Sequence, residues 1–267
     1  MDIGEIRVLP VLDGSARFAA AKMYEDLSPL GLGTRDEDWS PHREFLADDG
    51  RLEMAFGAYL VRSGDRVMLV DAGMGPRPVM KYSGGALLDS LAAHGVAADE
   101  VTDVVYTHLH GDHIGWASDE GTVVFANAVH RCHRLDWEHF VGTDELATEK
   151  LTPVVPLLEL FDADVTIAPG VDVQLAPGHT PGSVLVVLSS GSARALLVGD
   201  VVHCPVELVD DEWGALADVD PALALKTRVA LARELEGTDT PIGAAHFPGL
   251  AFGRLLAGEG RRQWTAP

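Results

Sequence analysis

The stretch Thr107-His108-Leu109-His110-Gly111-Asp112-His113-Ile114-Gly115-Trp116 puts four metal-capable side chains into six residues, spaced H-x-H-x-D-H. The run before it (Val101, Val104, Val105, Tyr106) has the β-branched and aromatic richness of a buried strand. His108 and His110 are two apart, so extended backbone carries both imidazoles to one side. Gly111 then allows a tight turn, and Asp112 suits the N-cap of a following helical turn. A lone histidine at a strand end most often caps backbone and nothing more. Several unpaired histidines packed beside a buried strand are unfavourable unless something binds them. Imidazole nitrogen with carboxylate oxygen suits zinc, and iron, manganese or cobalt as well. The cluster therefore reads as parts of two metal sites at one strand end.

Composition sets the outer bounds. A chain of 267 residues with 47% hydrophobic and 23% charged residues is ordinary for a globular protein. A formal net charge of −21 argues against nucleic acid or an anionic membrane surface as partner, because polyanions would be repelled. Much of that charge sits in solvated acidic runs such as Asp36-Glu37-Asp38 and Asp210-Asp211-Glu212. Cys132 and Cys204 are too few for a disulfide framework. Residues 1–5 lack a basic region followed by an apolar run, and no apolar stretch reaches the ~18 residues that span a bilayer. A cytoplasmic protein is expected, with a small molecule as its substrate, and a homodimer is compatible with the sequence.

Around the motif, strands alternate with turns. Residues 5–13 read as an opening strand, and 14–53 as a long loop with short helical turns. Met23, Tyr24, Trp39 and Phe45 lie in that loop, which fits a lid over a site (residues 20–56) as well as a loosely packed surface flap. Residues 56–71 form a hairpin turning at Ser63-Gly64-Asp65 and closing on Asp71, an acid placed either to cap the turn or to orient a ligating histidine. A helix follows over 85–94, stopped by Gly95. After the motif come a strand at 122–126 and a helical segment at 131–150; His130, Cys132, His133 and His139 do not share one helix face well. Strands at 164–168 and 171–175 lead into Ala176-Pro177-Gly178-His179-Thr180-Pro181-Gly182. Strands at 183–188 and 193–198 end at Gly199-Asp200. Asp220-Pro221 opens a helix to about 235, and a short strand, 241–245, delivers His246. Metal-type residues thus close four apolar strands, the way layered α/β proteins build sites. A single domain over 1–267 is expected.

In this arrangement the chain resembles the metallo-β-lactamase superfamily from about residue 5 to 250. The matching parts are H-x-H-x-D-H at 108–113, His179 in a Pro-Gly-His-Thr-Pro-Gly turn, Asp200 after an apolar strand and His246 after the last one. The resemblance implies an α/β fold, a four-layer αββα sandwich with metals at one edge between the sheets. Carried over by position, His108, His110 and His179 hold one divalent ion and Asp112, His113 and His246 a second. Asp200 bridges them, and Asp71 matches a position behind the ligands. Such a pair of zinc ions, for which iron, manganese or cobalt can substitute, holds a bridging hydroxide poised to attack a carbonyl or phosphoryl centre. Asp112 then shuttles a proton to the leaving group.

Departures narrow the branch. Export and the lack of a bridging Asp mark the true β-lactamases, Glu in place of His110 the flavodiiron reductases. RNA-processing members work on polyanions, and hydroxyacylglutathione hydrolases carry a longer C-terminal helical region. What remains similar is the branch of quorum-quenching lactonases and organophosphate hydrolases resembling methyl parathion hydrolase. The lactonases carry a Tyr three residues after the bridging Asp, where this chain has His203, which gives His203 an active-site role. The expected function is a dinuclear metal-dependent hydrolase of a small lactone or carboxylic ester. The alternatives are a phosphotriesterase of the same fold and a non-catalytic metal-binding protein.

Overall fold

Alternation of side chains builds the first sheet. In Ile6–Phe18 the apolar Ile6 and Val8 turn towards the second sheet while Arg7 between them is exposed. This strand pairs antiparallel with Leu52–Ser63, which turns back into Arg66–Val70. Arg66–Val70 then runs parallel to Asp103–Val105, followed in order by Val129–His133 and Leu158–Phe161. A second sheet holds Val165–Ala168, Val171–Leu175, Val184–Ser190, Ala193–Leu197 and Ile242–Gly243. This is a computed structural model, and it describes residues 1–24, 38–77, 84–211, 213–215 and 217–266.

The sheets face each other across one apolar layer, in which Val8, Tyr59, Val61 and Val70 meet Val173, Val186, Leu188 and Leu197. The other face of the first sheet packs Leu60, Leu69 and Val104 under Leu87 and Leu91 of the helix Leu87–Ala93, and under Leu151 of Glu145–Leu151. The second sheet's outer face, with Leu185, Val187 and Leu196, packs under Leu231, Ala232 and Leu235 of the helix Pro221–Leu235. Each sheet is therefore covered on its outer face by helix, which gives the αββα order.

Several boundaries differ from those expected. The opening strand runs on to Phe18 because Leu52–Ser63 begins early enough to pair with it. The long loop then contains a helix at Ala20–Tyr24 and a 3-10 turn at Ser40–Phe45. Its described part is no loose flap: Tyr24, Trp39, Leu52, Met54 and Phe56 form a buried cluster with Cys204, Val206 and Trp213. Residues 25–37 of the lid segment lie outside the described residues. His130, Cys132 and His133 sit on the parallel strand Val129–His133, not on a helix, because that strand fills the place beside Asp103–Val105. The helices follow at Arg134–Phe140 and Glu145–Leu151, separated at Gly142 with φ +91°. The pairing at 122–126 is reduced to Thr122–Val123 against Ser118–Asp119.

Asp13 is the extra residue of a bulge, where the register with the neighbouring strand slips between Leu12 and Gly14. Its carboxylate is completely buried and accepts hydrogen bonds from the backbone N–H groups of Met74, Gly75, Gly85 and Leu87 and from Trp116 Nε1, at 2.9–3.1 Å. The loop leaving Asp71 is thereby tied to the helix that follows it.

His130 gives the fold a pH dependence. Its Nδ1 lies 2.8 Å from the Tyr106 hydroxyl and its Nε2 3.2 Å from the Phe125 carbonyl. Burial pushes its pKa down to about 4, against the smaller opposing pull of that carbonyl. The unfolded chain takes up the proton first, so the stability is complete above about pH 6.5 and is lost as pH falls towards 4. Between pH 7 and 5 the unfolding free energy should fall by about 2 kcal/mol more in the parent chain than in His130→Gln, as read by urea denaturation. Parallel pH profiles would show instead that His130 titrates alike in the folded and the unfolded chain.

Candidate metal centre

Each expected site residue lies just past the C-terminal end of a strand. His108–His113 follow Asp103–Val105, His179 follows Val171–Leu175, Asp200 follows Ala193–Leu197, and His246 follows Ile242–Gly243. Local backbone makes the approach close. Gly199 has φ +50°, and a Cβ there would lie 2.7 Å from the Thr107 Cβ, so the Asp200 turn nests directly on the residue preceding His108. Gly178, with φ +132°, would press a Cβ to 2.2 Å from the backbone nitrogen of Ala224. Valine 184 donates its N–H to the Thr107 carbonyl at 2.8 Å, joining the edges of the two sheets beside the site.

Two groups of ligand-type atoms result. His108 Nε2, His110 Nδ1 and His179 Nε2 form a triangle with edges of 3.0, 3.0 and 3.2 Å. Asp200 Oδ2 lies 3.7 Å from His108 Nε2 and 3.6 Å from His179 Nε2. In the second group, Asp112 Oδ2 lies 3.4 Å from His246 Nε2 and 3.8 Å from His113 Nε2. Asp200 faces this group too, with Oδ1 3.3 Å from His113 Nε2 and Oδ2 3.0 Å from His246 Nε2. All are buried except His110 and Asp112, which are half-buried and mark the mouth.

The distal nitrogen of most of these rings has a partner. His113 Nδ1 lies 2.9 Å from Asp71 Oδ2, His179 Nδ1 3.0 Å from Asp218 Oδ1, and His246 Nδ1 2.9 Å from the Ala55 carbonyl. Each acceptor fixes a proton on Nδ1 and aims Nε2 at the centre. His108 Nδ1 lies 3.2 Å from Thr107 Oγ1, which itself donates to Asp71 Oδ2 at 2.8 Å. Asp71 thus stands behind two of the histidines, and its φ of +67°, unusual for a residue with a side chain, comes with that placement.

Burial sets the charges. It lowers His108 well below the usual histidine range, lowers His110 to about 4, and lowers His179 despite the hydrogen bond to Asp218. These three rings are neutral near pH 7, as a ligand must be. For His113 burial acts the same way, but Asp200, Asp71 and Asp112 outweigh it and raise its pKa. Asp200 is held well below the carboxylate range because His246, His113 and His203 overcome the cost of burying it.

This donor set fits divalent cations. Zn–N bonds of about 2.0–2.1 Å in tetrahedral array imply nitrogen–nitrogen edges of about 3.3 Å, near those of the triangle. His113 Nε2 and Asp200 Oδ1 are buried, 3.3 Å from each other, and hydrogen-bond to no other group. Both point at the position where the second group and Asp200 converge, as unspent donors to a cation would. His203 stands beside the centre, its Nε2 3.3 Å from Asp200 Oδ2 and its ring parallel to that of His246. Cys204 is buried, and burial pushes its thiol far up, which leaves it no nucleophilic role. A cleft of about 440 Å³ is lined by His203, Cys204 and Pro205 together with Phe45, Phe247 and Trp264.

Several residues that organise the centre were not legible as such. Asp136, inside what reads as an exposed helix, is completely buried. Its carboxylate accepts from Leu109 N at 3.1 Å, Gly182 N at 2.6 Å and Thr180 Oγ1 at 2.9 Å, and so clamps the His108–His110 loop to the His179 turn. Asp218 lies two residues before the readable cap Asp220. Glu207 breaks the apolar run Val206–Val209, and Arg228 occupies the buried stripe of Ala224, Leu231 and Leu235; a charge at an apolar position was the available signal. Asp136→Ala should weaken zinc binding about 10–100-fold, as measured by competition with a chromophoric chelator. Parent-like affinity would mean that the two loops hold their places without it.

A family model for the metallo-β-lactamase superfamily matches residues 58–246. An N-acyl homoserine lactonase of Bacillus thuringiensis is 25% identical over 223 residues, covering 77% of this chain and 86% of that protein. Among solved structures, AidC, a dizinc quorum-quenching lactonase in complex with a product, superposes with a TM-score of 0.84 at 24% identity, covering 100% of this chain and 96% of that one. The hydrolase AbOPH gives 0.84 at 22% identity, covering 99% and 95%. These structural likenesses bear on the fold, whereas the family match extends over most of the chain and runs from the first sheet to His246. The chain belongs to the metallo-β-lactamase superfamily.

Proposed function

We propose that this hydrolase of the metallo-β-lactamase superfamily, related in sequence to lactonases, is a dinuclear enzyme that opens a small lactone or carboxylic ester. The observation that carries the proposal is convergence: the groups His108, His110, His179, Asp200 and Asp112, His113, His246 each offer atoms within 4.8 Å of one another. The first group would hold one cation, the second another, with Asp200 between them. Divalent cations held by these residues, zinc by ligand chemistry, would supply a water of lowered pKa and a Lewis acid for the electrophilic oxygen.

The chain's own residues do the rest. His203 Nε2 is offered as a hydrogen-bond donor to the oxygen on which charge develops as the carbonyl is attacked. Asp112, with a side chain 23% exposed at the mouth, carries the proton to the leaving alkoxide oxygen. The product is the ring-opened hydroxy acid. Buried Phe56 packs edge-on against His246 at 5.2 Å and helps keep bulk water from that ring. The lactone relatives, with 86% of the Bacillus thuringiensis protein's length covered, favour this substrate class. His203, where the resembling lactonases carry Tyr, favours a phosphotriester as the second reading.

Paired assays with a lactone and an aryl phosphotriester test both. Lactone turnover should vanish on chelation, return with Zn²⁺, and fall to background in Asp200→Ala and His179→Ala. His203→Ala should lower kcat about 10²-fold with little change in KM. Hydrolysis that survives undiminished in metal-stripped Asp200→Ala would overturn the proposal. Turnover of the phosphotriester alone reverses the order, and tight metal binding with no hydrolysis of any ester, lactone or phosphoester would leave a binding protein.

A further inference from the structure

We propose that Arg228 is a positioning residue, a single guanidinium that holds in place the two carboxylates standing behind His179 and His203. Asp218 Oδ1 lies 3.0 Å from His179 Nδ1, and its Oδ2 lies 3.5 Å from Arg228 Nη2. Glu207 Oε2 lies 4.0 Å from Arg228 Nη1 and accepts from the His203 backbone N–H at 2.9 Å. Glu207 Oε1 lies 3.5 Å from His203 Nδ1 and accepts from the Tyr24 hydroxyl at 2.7 Å. Arg228 is 1% exposed, and its two terminal nitrogens also donate to the Val201 and Trp213 carbonyls at 3.2 and 3.3 Å.

The geometry suits arginine and little else. A planar fork reaches two acids and two carbonyls at once, which a lysine ammonium on a flexible stem does not. The carbonyls anchor the fork independently, so the position of the guanidinium is set by backbone and is passed on to the acids. Asp218 is held from its other side as well, because the Val219 N–H donates to the His179 carbonyl at 2.9 Å. Without the guanidinium, Asp218 and Glu207 would remain buried with only the rings of His179 and His203 beside them. They would turn or hydrate, and the ring of His179 would lose the acceptor that keeps Nε2 aimed at His108 and His110. His113 is spared, since its acceptor is Asp71, and so is His246, which leans on Ala55. The effect is therefore confined to one group of ligands and to His203.

This inference rests on the proposed metal centre, but its test does not depend on turnover. The metal-free full chain is titrated with Co²⁺, following visible d–d absorption and the affinity of each equivalent, for the parent, Arg228→Met and Arg228→Lys. Arg228→Met should weaken one equivalent about 10–100-fold and alter its absorption bands while leaving the other unchanged, and Arg228→Lys should recover part of the loss. Superimposable titrations for the parent and a folded Arg228→Met would overturn the proposal and reduce Arg228 to a structural ion pair. Should Arg228→Met fail to fold, Asp218→Asn decides in its place: selective weakening of one equivalent supports the proposal, and a parent-like titration defeats it. Failure of the hydrolase reading looks different, as absence of turnover in the parent together with an intact, Arg228-dependent Co²⁺ titration.

Discussion

Three bare imidazole nitrogens held within 3.0–3.2 Å of one another are the constraint on which the rest of the structure depends. Lone pairs do not gather in this way of their own accord. The chain holds them by giving the far side of His179 the Asp218 carboxylate and that of His108 the Thr107 hydroxyl, and by burying the rings where protonation is disfavoured. A folded chain that carries this strain in advance has already ordered most of what a cation needs, so binding energy is not spent on assembling the site.

The two sheets serve that end. A strand supplies its terminal residue with a precise origin, and four strand ends from two sheets converge only if the sheets are fixed face to face. The buried valines between them set the spacing. Asp136 then ties the loops on either side together, and the Val184–Thr107 hydrogen bond closes the seam. The carboxylates of Asp13 and Asp136 each sit where a loop rather than a strand must be held. Buried acids that accept backbone N–H groups place loops in ways that apolar packing, which lacks direction, does not.

The candidate ligand set is legible because its members end apolar strands beside a glycine or proline, signals that operate within about ten residues. His108 to His113, His179, Asp200 and His246 were all nameable, and so was Asp71. The supporting acids and Arg228 were not. Whether Asp136 faces solvent or the Gly182 turn depends on a segment more than forty positions away, and Asp218 reads as one of many acids in a chain of net charge −21. Strand Val129–His133 departs from its expected helix for a related reason. Its histidines and arginine look polar, yet a parallel strand inside a sheet is decided by its neighbours, here Asp103–Val105 and Leu158–Phe161, and not by its own composition.

The bulge at Asp13 bears on which changes in chain length this protein tolerates. Leu12 pairs with Gly57 and Gly14 with Phe56, so losing the residue between them would leave an unbroken ladder and every later partner in register. What would disappear is the carboxylate that gathers five N–H groups from both flanks of the segment after Asp71. A one-codon deletion at this position would pass unnoticed in the sheet and be felt in the loop that begins at the acid behind His113.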